Sequence, residues 1–220
     1  MSPFEERPEV IDSVIHHLEQ AREVSSDLWL DFVDVEAFAA VIFDCDGTLV
    51  ESAEAHMKSM QAAAKEQGHE MTAAWYRART GLDRASLLKD FRAATDPEFD
   101  VERASETSIA CFGEFAHLVT PKESVFRFAS SLQLRGVAMA VATNAERDVA
   151  EVSLRVTRRR NIFKDLVSIS DGVAPKPSPE MFLLAAKRLG YPPSKVLVVE
   201  DSPQGVQAAL DAGMSVIQLD

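Results

Sequence analysis

Two aspartates separated by one residue follow a short apolar run near position 40 of this 220-residue chain. Asp44 and Asp46 come directly after AAVIF (39–43) and before Gly47. This spacing directs both carboxylates toward one side of an extended backbone, with Cys45 facing away. One carboxylate can stay ionised as a nucleophile while the other, its pKa raised by its neighbour, holds a proton for a leaving group. Gly47 permits a sharp turn and a close ligand approach, although an ordinary Asp-Gly turn is the alternative interpretation.

A second acidic pair, Glu200-Asp201, ends another apolar run, KVLVVE (195–200). Adjacent carboxylates on an apolar strand repel each other and lose solvation unless a cation lies between them. Such hard oxygen ligands suit Mg²⁺, which binds substrate phosphate as well. The alternative is that an acid here caps the helix that begins near Ser202, since acids favour that end.

Two further segments carry groups that suit an anionic ligand. Thr143-Asn144 ends the run VAMAVAT (137–143), where a hydroxyl, an amide and free N–H groups can bind phosphate. Lys176 stands between prolines in APKPSPE (174–180) and can neutralise the charge of nearby carboxylates. An ordinary helix cap and an exposed turn lysine are the respective alternatives.

The candidate residues are positioned by apolar runs that alternate with helical patterns. We predict five buried strands in these runs: AAVIF (39–43), VAMAVAT (137–143), LVSIS (166–170), KVLVVE (195–200) and MSVIQL (214–219). Strands alternating with helices indicate an α/β fold with a Rossmann-like, doubly wound parallel sheet, whose ligands bind at the carboxyl ends of the strands. Residues 51–120 lack a convincing strand, so we expect an inserted α-helical domain next to the first strand.

The N-terminal segment shows a different pattern. Apolar residues at helical spacing predict an amphipathic helix over residues 8–24, whereas the conformation of 28–38 is left open. We expect this helix to pack on the sheet, with self-association through the extension as the rival interpretation. The predicted division is an N-terminal helical extension (1–38), a core domain (39–50 and 121–220) and a helical domain (51–120).

Composition limits the classes of partner. Lys plus Arg number 23 and Asp plus Glu 35, a net charge of −12. This balance argues against nucleic acid, because phosphate-backbone binding depends on clustered basic residues. We expect no membrane span and no secretory signal, so we expect a cytoplasmic protein, a monomer or homodimer, in which Cys45 and Cys111 stay reduced.

The four chemical segments, in this order, resemble the signature motifs of the haloacid dehalogenase superfamily. The matching segments are DCDGTLVES (44–52), ATNAE (142–146), KPSPEMF (176–182) and VVEDSPQGVQAALDAGM (198–214). More narrowly they resemble the β-phosphoglucomutase-like branch, in which a helical cap follows the first strand. The resemblance covers residues 39–220 and implies a magnesium-dependent phosphotransferase acting on a small phosphorylated metabolite.

The resemblance also implies roles for individual residues. Asp44 attacks phosphorus and forms an aspartyl-phosphate, while Asp46 protonates the leaving oxygen and then deprotonates the attacking water. Thr143 and Asn144 bind the phosphoryl oxygens, and Lys176 neutralises charge around the nucleophile. These roles agree with phosphoryl transfer as a reaction governed by positioning and charge neutralisation.

A Mg²⁺ cofactor is part of the same implication. Its ligands are the Asp44 carboxylate, the backbone carbonyl of Asp46, and Glu200 or Asp201. All of these lie at strand ends of the predicted sheet.

The cap residues indicate which member of the branch the chain resembles. His56 matches a substrate-handling histidine, with a surface histidine as the alternative, and Arg84 matches a position that contacts the distal end of sugar phosphates. Mutases carry lysines where this chain has Thr80 and Glu146. We therefore expect hydrolysis of a sugar phosphate or similar ester, with a phosphomutase or a non-catalytic binding protein as alternatives.

Overall fold

The computed structural model describes residues 10–18, 20–79 and 82–219. Its strands within those ranges are β1 (Asp12–His17), β2 (Gln20–Ser25), β3 (Ala40–Phe43), β4 (Val50–Glu51), β5 (Thr120–Pro121), β6 (Ala138–Thr143), β7 (Asp165–Ser168), β8 (Val196–Glu200) and β9 (Ser215–Leu219). Its α-helices there are α1 (Trp29–Glu36), α2 (Ala53–Glu66), α3 (Ala73–Arg77), α4 (Arg84–Ala94), α5 (Val101–Cys111), α6 (Glu123–Leu134), α7 (Arg147–Val156), α8 (Glu180–Leu189) and α9 (Pro203–Asp211).

Seven of these strands form one sheet in the order β2-β1-β9-β8-β3-β6-β7. The five strands from β9 to β7 are parallel neighbours, and they are the five strands predicted from the apolar runs. Every residue of the central strands β3 and β8 is buried, as expected when helices cover both faces. The doubly wound parallel sheet is therefore confirmed, and the carboxyl ends of β3, β6 and β8 lie side by side.

Two apolar layers hold the sheet between helices. Val41 and Phe43 of β3 belong to the layer that includes α1, α6 and α7, whereas Ala40 and Ile42 belong to the layer that includes α8 and α9. This division follows from the alternation of side chains along a strand. Because interiors are close-packed, the loops that follow β3, β6 and β8 are attached to a fixed platform.

Helices α2 to α5 form the inserted cap. They share an apolar cluster separate from the two layers of the sheet, with these buried members: Met60, Ala63, Ala64, Met71, Leu87, Leu88, Phe91, Phe99 and Ala104. Antiparallel pairing of β4 with β5 joins the two ends of the insert near the carboxyl end of β3. The predicted helical cap is thus confirmed. Across the described residues, each helix is too short or too polar to span a bilayer.

The N-terminal segment is a β-hairpin, so the helix predicted over 8–24 is wrong where the structure describes it. β1 pairs antiparallel with β2 on one side and with β9 on the other. Ser13 and Ile15 are buried along β1, on the opposite face of the strand from Val14, so the apolar residues that fit one face of a helix are divided between the two faces of the strand. Pairing with β9 favours the strand because it satisfies backbone groups that an open edge leaves unpaired. Residues 1–9 lie outside the described ranges, and 28–38 contains α1.

Candidate active site

The loop after β3 places Asp44 next to a buried lysine. Lys176 Nζ donates hydrogen bonds to Asp44 Oδ1 at 2.6 Å, to Glu200 Oε2 at 2.7 Å and to the Ala142 carbonyl at 2.9 Å. Lys176 is only 7% exposed, which excludes the alternative interpretation of this residue as an exposed lysine in a turn. These charge-assisted bonds raise the pKa of Lys176 against the opposing effect of burial, so the ammonium group stays charged beside the candidate nucleophile.

Asn144 fixes the loop that carries Lys176. Its Oδ1 accepts a hydrogen bond from the Lys176 backbone N–H at 2.9 Å, and its Nδ2 donates to the Lys176 carbonyl at 3.4 Å. Thr143 Oγ1 accepts a hydrogen bond from the Ala145 N–H at 3.1 Å. The side-chain amide of Asn144 is therefore engaged in positioning Lys176, and the phosphoryl contacts assigned to Thr143 and Asn144 stay predictions.

Asp46 faces the cap rather than the acidic cluster. Its Oδ1 accepts a hydrogen bond from Ser52 Oγ at 2.5 Å and lies 3.1 Å from His56 Nε2, while its Oδ2 lies 3.5 Å from Thr143 Oγ1. Burial opposes ionisation, yet the attraction of the His56 ring and the hydrogen bonds from His56 and Ser52 lower the pKa of Asp46. The sequence allowed His56 to be either a surface histidine or a site residue. In the structure it contacts the second aspartate directly.

The pKa values of the two aspartates are shifted in opposite directions. Burial, followed by the negative charge of Glu200, raises the pKa of Asp44 well above its usual value, although Lys176 opposes this shift. Spacing left open which of the two would have the raised pKa, and the resemblance, which makes Asp46 the proton donor, implied that it would be Asp46. The difference arises because Asp44 faces Glu200 and Asp201, whereas Asp46 faces an imidazole and a hydroxyl.

The cluster of Asp44, Glu200 and Asp201 fits a cation. Each residue offers one carboxylate oxygen, and the three oxygens lie within 4.8 Å of one another. Burial and the charge of Glu200 also raise the pKa of Asp201. A Cβ atom on Gly47 would lie 2.1 Å from Asp201 Oδ2, so the glycine is needed for that carboxylate to approach the loop. Oxygen ligands brought together in this way suit Mg²⁺.

Glu200 and Asp201 differ in how far they are already bonded. Besides Lys176, Glu200 binds the first turn of α9: its Oε1 accepts hydrogen bonds from Ser202 N at 3.0 Å and Ser202 Oγ at 2.8 Å. Asp201 Oδ1 accepts a hydrogen bond from Thr48 Oγ1 at 2.9 Å, and Asp201 is partly exposed. Asp201 is therefore the more available ligand, and Glu200 mainly holds Lys176.

Several residues of the site were not predicted from the sequence. Four of them lie within the segments that resemble the family's signature motifs, and this location could have identified them: Thr48, Ser52, Ser202 and Gly205. Tyr76 lies in α3 of the cap, where its sequence context carried no signal. Burial raises the pKa of Tyr76 to about 12, so it keeps its hydroxyl proton and can donate a hydrogen bond.

The predicted site residues open into a cavity of about 400 Å³ between the sheet and the cap. The sheet side contributes all the predicted core residues, namely Asp44, Asp46, Gly47, Thr143, Asn144, Lys176, Glu200 and Asp201. The cap side contributes His56, Tyr76, Leu87 and Arg84. Thr80 lies outside the described residues. The structure therefore brings every predicted site residue to one cavity.

Comparison with known proteins places the chain in a family. Residues 41–219 match the family described as haloacid dehalogenase-like hydrolase. Fructose-1-phosphate phosphatase YqaB of Escherichia coli is 29% identical over 185 residues, which cover 84% of this chain and 97% of that protein. A β-phosphoglucomutase-like structure from Thermotoga maritima has a TM-score of 0.64 and 27% identity, covering 80% of this chain and 82% of its own.

One relative is much longer than this chain. Protein SUPPRESSOR OF QUENCHING 1, chloroplastic, of Arabidopsis thaliana is 31% identical over 187 residues, which cover 81% of this chain but 17% of that protein.

The chain belongs to the haloacid dehalogenase-like hydrolases, in their β-phosphoglucomutase-like branch. This confirms the resemblance, and with it the expected enzyme class of phosphoric monoester hydrolase.

Proposed function

We propose that the chain is a magnesium-dependent phosphatase that hydrolyses a small sugar phosphate or similar ester through an aspartyl-phosphate on Asp44. One observation carries the proposal. Asp44 lines the cavity, lies 2.6 Å from the buried, charged Lys176, and forms an acidic cluster of cation-binding geometry with Glu200 and Asp201. A nucleophile held between cationic groups suits phosphoryl transfer, whose catalysis is mainly positioning and electrostatic stabilisation.

The proposed reaction has two steps, both within reach of the same groups. In the first, an Asp44 carboxylate oxygen forms a bond to phosphorus as the ester bond breaks, and the leaving oxygen takes a proton from the Asp46–His56 pair. In the second, water attacks the aspartyl-phosphate, the pair takes its proton, and phosphate leaves Asp44. We assign the proton to the pair because Asp46 has a lowered pKa and its Oδ1 lies 3.1 Å from His56 Nε2, a distance at which the two groups can share a proton.

Residues Asp44, Glu200 and Asp201 would hold the metal ion. When bound, Mg²⁺ supplies positive charge that offsets the carboxylates and the phosphoryl oxygens. Lys176 supplies a second, permanent positive charge, 2.6 Å from Asp44 Oδ1. The raised pKa of Asp44 describes the site without that ion, and added positive charge favours the ionised nucleophile.

Cavity size and family support a small substrate. A volume of about 400 Å³ lies in the range of small-molecule sites, about 300–1,000 Å³. YqaB, which is similar over most of its length, carries the name of a sugar-phosphate phosphatase. The paired Arg84 and Glu146, described below, give no support to a mutase that must hold a second phosphate.

Phosphate release from a panel of sugar monophosphates tests the proposal. We expect turnover with Mg²⁺, none after chelation by EDTA, and at least a thousandfold loss in Asp44→Asn. Asp211→Asn is the matched control because Asp211 is exposed on α9 and contacts Gln207 instead of the cavity. A folded wild-type protein that releases no phosphate from any ester, or an active Asp44→Asn variant, would refute the proposed phosphatase.

A further inference from the structure

An ion pair connects the cap to the core inside the cavity. Arg84 begins α4 of the cap, and Glu146 lies just before α7 of the core. Arg84 Nε contacts both carboxylate oxygens of Glu146, at 2.9 Å and 3.0 Å. Both residues line the cavity that contains the nucleophile. This pair therefore forms part of the surface that a bound ligand meets away from Asp44.

The guanidinium is engaged on the cap side as well. Arg84 Nη1 donates a hydrogen bond to Ser108 Oγ at 2.6 Å, which fixes Arg84 against α5. The Arg84 side chain is 7% exposed, whereas that of Glu146 is 23% exposed. Of the two charges, the carboxylate is thus the more accessible, and the positive charge of Arg84 is largely neutralised by its partner.

We propose that Glu146 is a specificity-determining residue that selects phosphate esters whose distal end is uncharged and excludes those with a distal phosphate or carboxylate. A distal hydroxyl can donate a hydrogen bond to the Glu146 carboxylate. A distal anion would meet a like charge, or would have to displace Glu146 from its two contacts with Arg84. The inference rests on the proposed phosphatase only in taking a phosphate ester as the ligand.

A purely structural role for the pair makes a different prediction. If Glu146 only fastens the cap to the core, its removal changes the binding of all esters by the same factor. If it selects by charge, its removal changes the ratio between ligands with neutral and anionic distal ends. That ratio is therefore the measured quantity.

Glucitol 6-phosphate and 6-phosphogluconate form a suitable pair of probes, since they share a six-carbon chain and differ in a hydroxymethyl or carboxylate end. Their dissociation constants would be measured calorimetrically with Mg²⁺ on the full-length Asp44→Asn protein, which prevents turnover. We expect this protein to prefer glucitol 6-phosphate. Adding Glu146→Gln should raise the relative affinity for 6-phosphogluconate at least about tenfold, or about 1.4 kcal/mol. Adding Arg84→Met instead should shift the ratio the other way, because it leaves Glu146 without its counter-ion.

Glu151→Gln supplies the matched control. Glu151 forms a similar two-oxygen pair with Arg160, at 3.1 Å to each oxygen, among residues that do not line the cavity. We expect this substitution to leave the ratio unchanged. An unchanged ratio in Glu146→Gln, or no binding of glucitol 6-phosphate to the parent protein, would overturn the inference. A shifted ratio in a protein whose wild type hydrolyses no ester would uphold the role of Glu146 and refute the phosphatase alone.

Discussion

Replacement of Gly205 by alanine places two physical effects in opposition. Gly205 lies in the first turn of α9, with the buried Glu200 carboxylate directly above it. A Cβ atom at this position would lie 2.0 Å from Glu200 Cδ and 2.1 Å from Glu200 Oε2. The same Oε2 accepts the hydrogen bond from Lys176 at 2.7 Å. Alanine therefore forces Glu200 away from the lysine that flanks the nucleophile.

The structure gives the sign and size of the effect. Helix propensity alone favours alanine over glycine by up to about 1 kcal/mol. Overpacking of a buried position costs about 1–3 kcal/mol, and losing a hydrogen bond between charged groups costs about 1.5–3 kcal/mol more. The steric and electrostatic costs exceed the propensity gain. We expect Gly205→Ala to lower the free energy of unfolding by about 2–5 kcal/mol.

Urea unfolding followed by circular dichroism measures this change, and phosphate release reports whether the displaced Glu200 disturbs the site. Gly113→Ala is the matched control, since a Cβ atom on Gly113 has no heavy atom within 4 Å of it. The control should change stability by less than about 1 kcal/mol. A Gly205→Ala protein as stable as the wild type would refute the reasoning that this glycine accommodates Glu200.

Three other outcomes follow from single contacts. Ser13→Ala removes the acceptor of the hydrogen bond from Trp29 Nε1, which is buried and 2.9 Å long. This substitution should lower the free energy of unfolding by about 1–3 kcal/mol in a urea titration. An unchanged free energy would contradict a stabilising role for this contact of the hairpin. Lys176→Met leaves buried carboxylates without their cation and should lower the metal-free melting temperature and abolish turnover; a fully active variant would contradict its role. Because the pKa of Asp44 and of Asp201 is raised, their ionisation is disfavoured in the folded state, and the contribution of these two residues to metal-free stability should fall as pH rises from the usual aspartate pKa, about 3.9, through their raised folded-state pKa. Protons then compete with Mg²⁺ at higher pH than usual, so the rise in melting temperature caused by Mg²⁺ should shrink as pH falls toward the raised pKa of these two carboxyl groups. A rise that stays constant with pH would contradict this site.

The sheet was predictable because its strands carry a strong local signal. All residues of β3 and β8 are apolar except the last of β8, a composition typical of parallel strands covered on both faces. The order of the strands was not predicted: β8 pairs with β3 instead of with β7, the strand that precedes it in the chain. Since ligand groups collect at the carboxyl ends of such strands, the position of Asp44 and Glu200 followed from the same signal.

The hairpin was not predictable from its own residues. Val14, Ile15 and Leu18 fit the spacing of a helix, and within the segment nothing favours the strand. The deciding contacts come from the other end of the chain: Ile15 pairs with Ile217 of β9, and His16 Nε2 contacts Gln218 Oε1 at 2.9 Å. Pairing with β9, which is distant in sequence, thus determines the conformation of this segment in place of its local periodicity.

Glu146 shows why a motif position has to be interpreted with its spatial partner. In the sequence, this residue signified only the absence of a lysine that mutases carry. In the structure, its carboxylate holds the guanidinium of Arg84, a residue 62 positions earlier in the chain. The cap residue expected to contact the distal end of a sugar phosphate is therefore already bound to a carboxylate of the protein itself.

Charge balance at the bottom of the cavity links metal binding to phosphate binding. Four carboxyl groups line this part of the cavity, those of Asp44, Asp46, Glu200 and Asp201. Lys176 is the cation that hydrogen-bonds to two of them, Asp44 and Glu200. A phosphate dianion entering this surface without a metal ion would meet net repulsion. We therefore expect inorganic phosphate to bind measurably with Mg²⁺ and to lose at least about tenfold in affinity without it, a coupling of at least about 1.4 kcal/mol. Because such coupling is reciprocal, phosphate must tighten Mg²⁺ binding by the same factor in calorimetric titrations, and independent binding of the two would show that the acidic cluster is not the metal site.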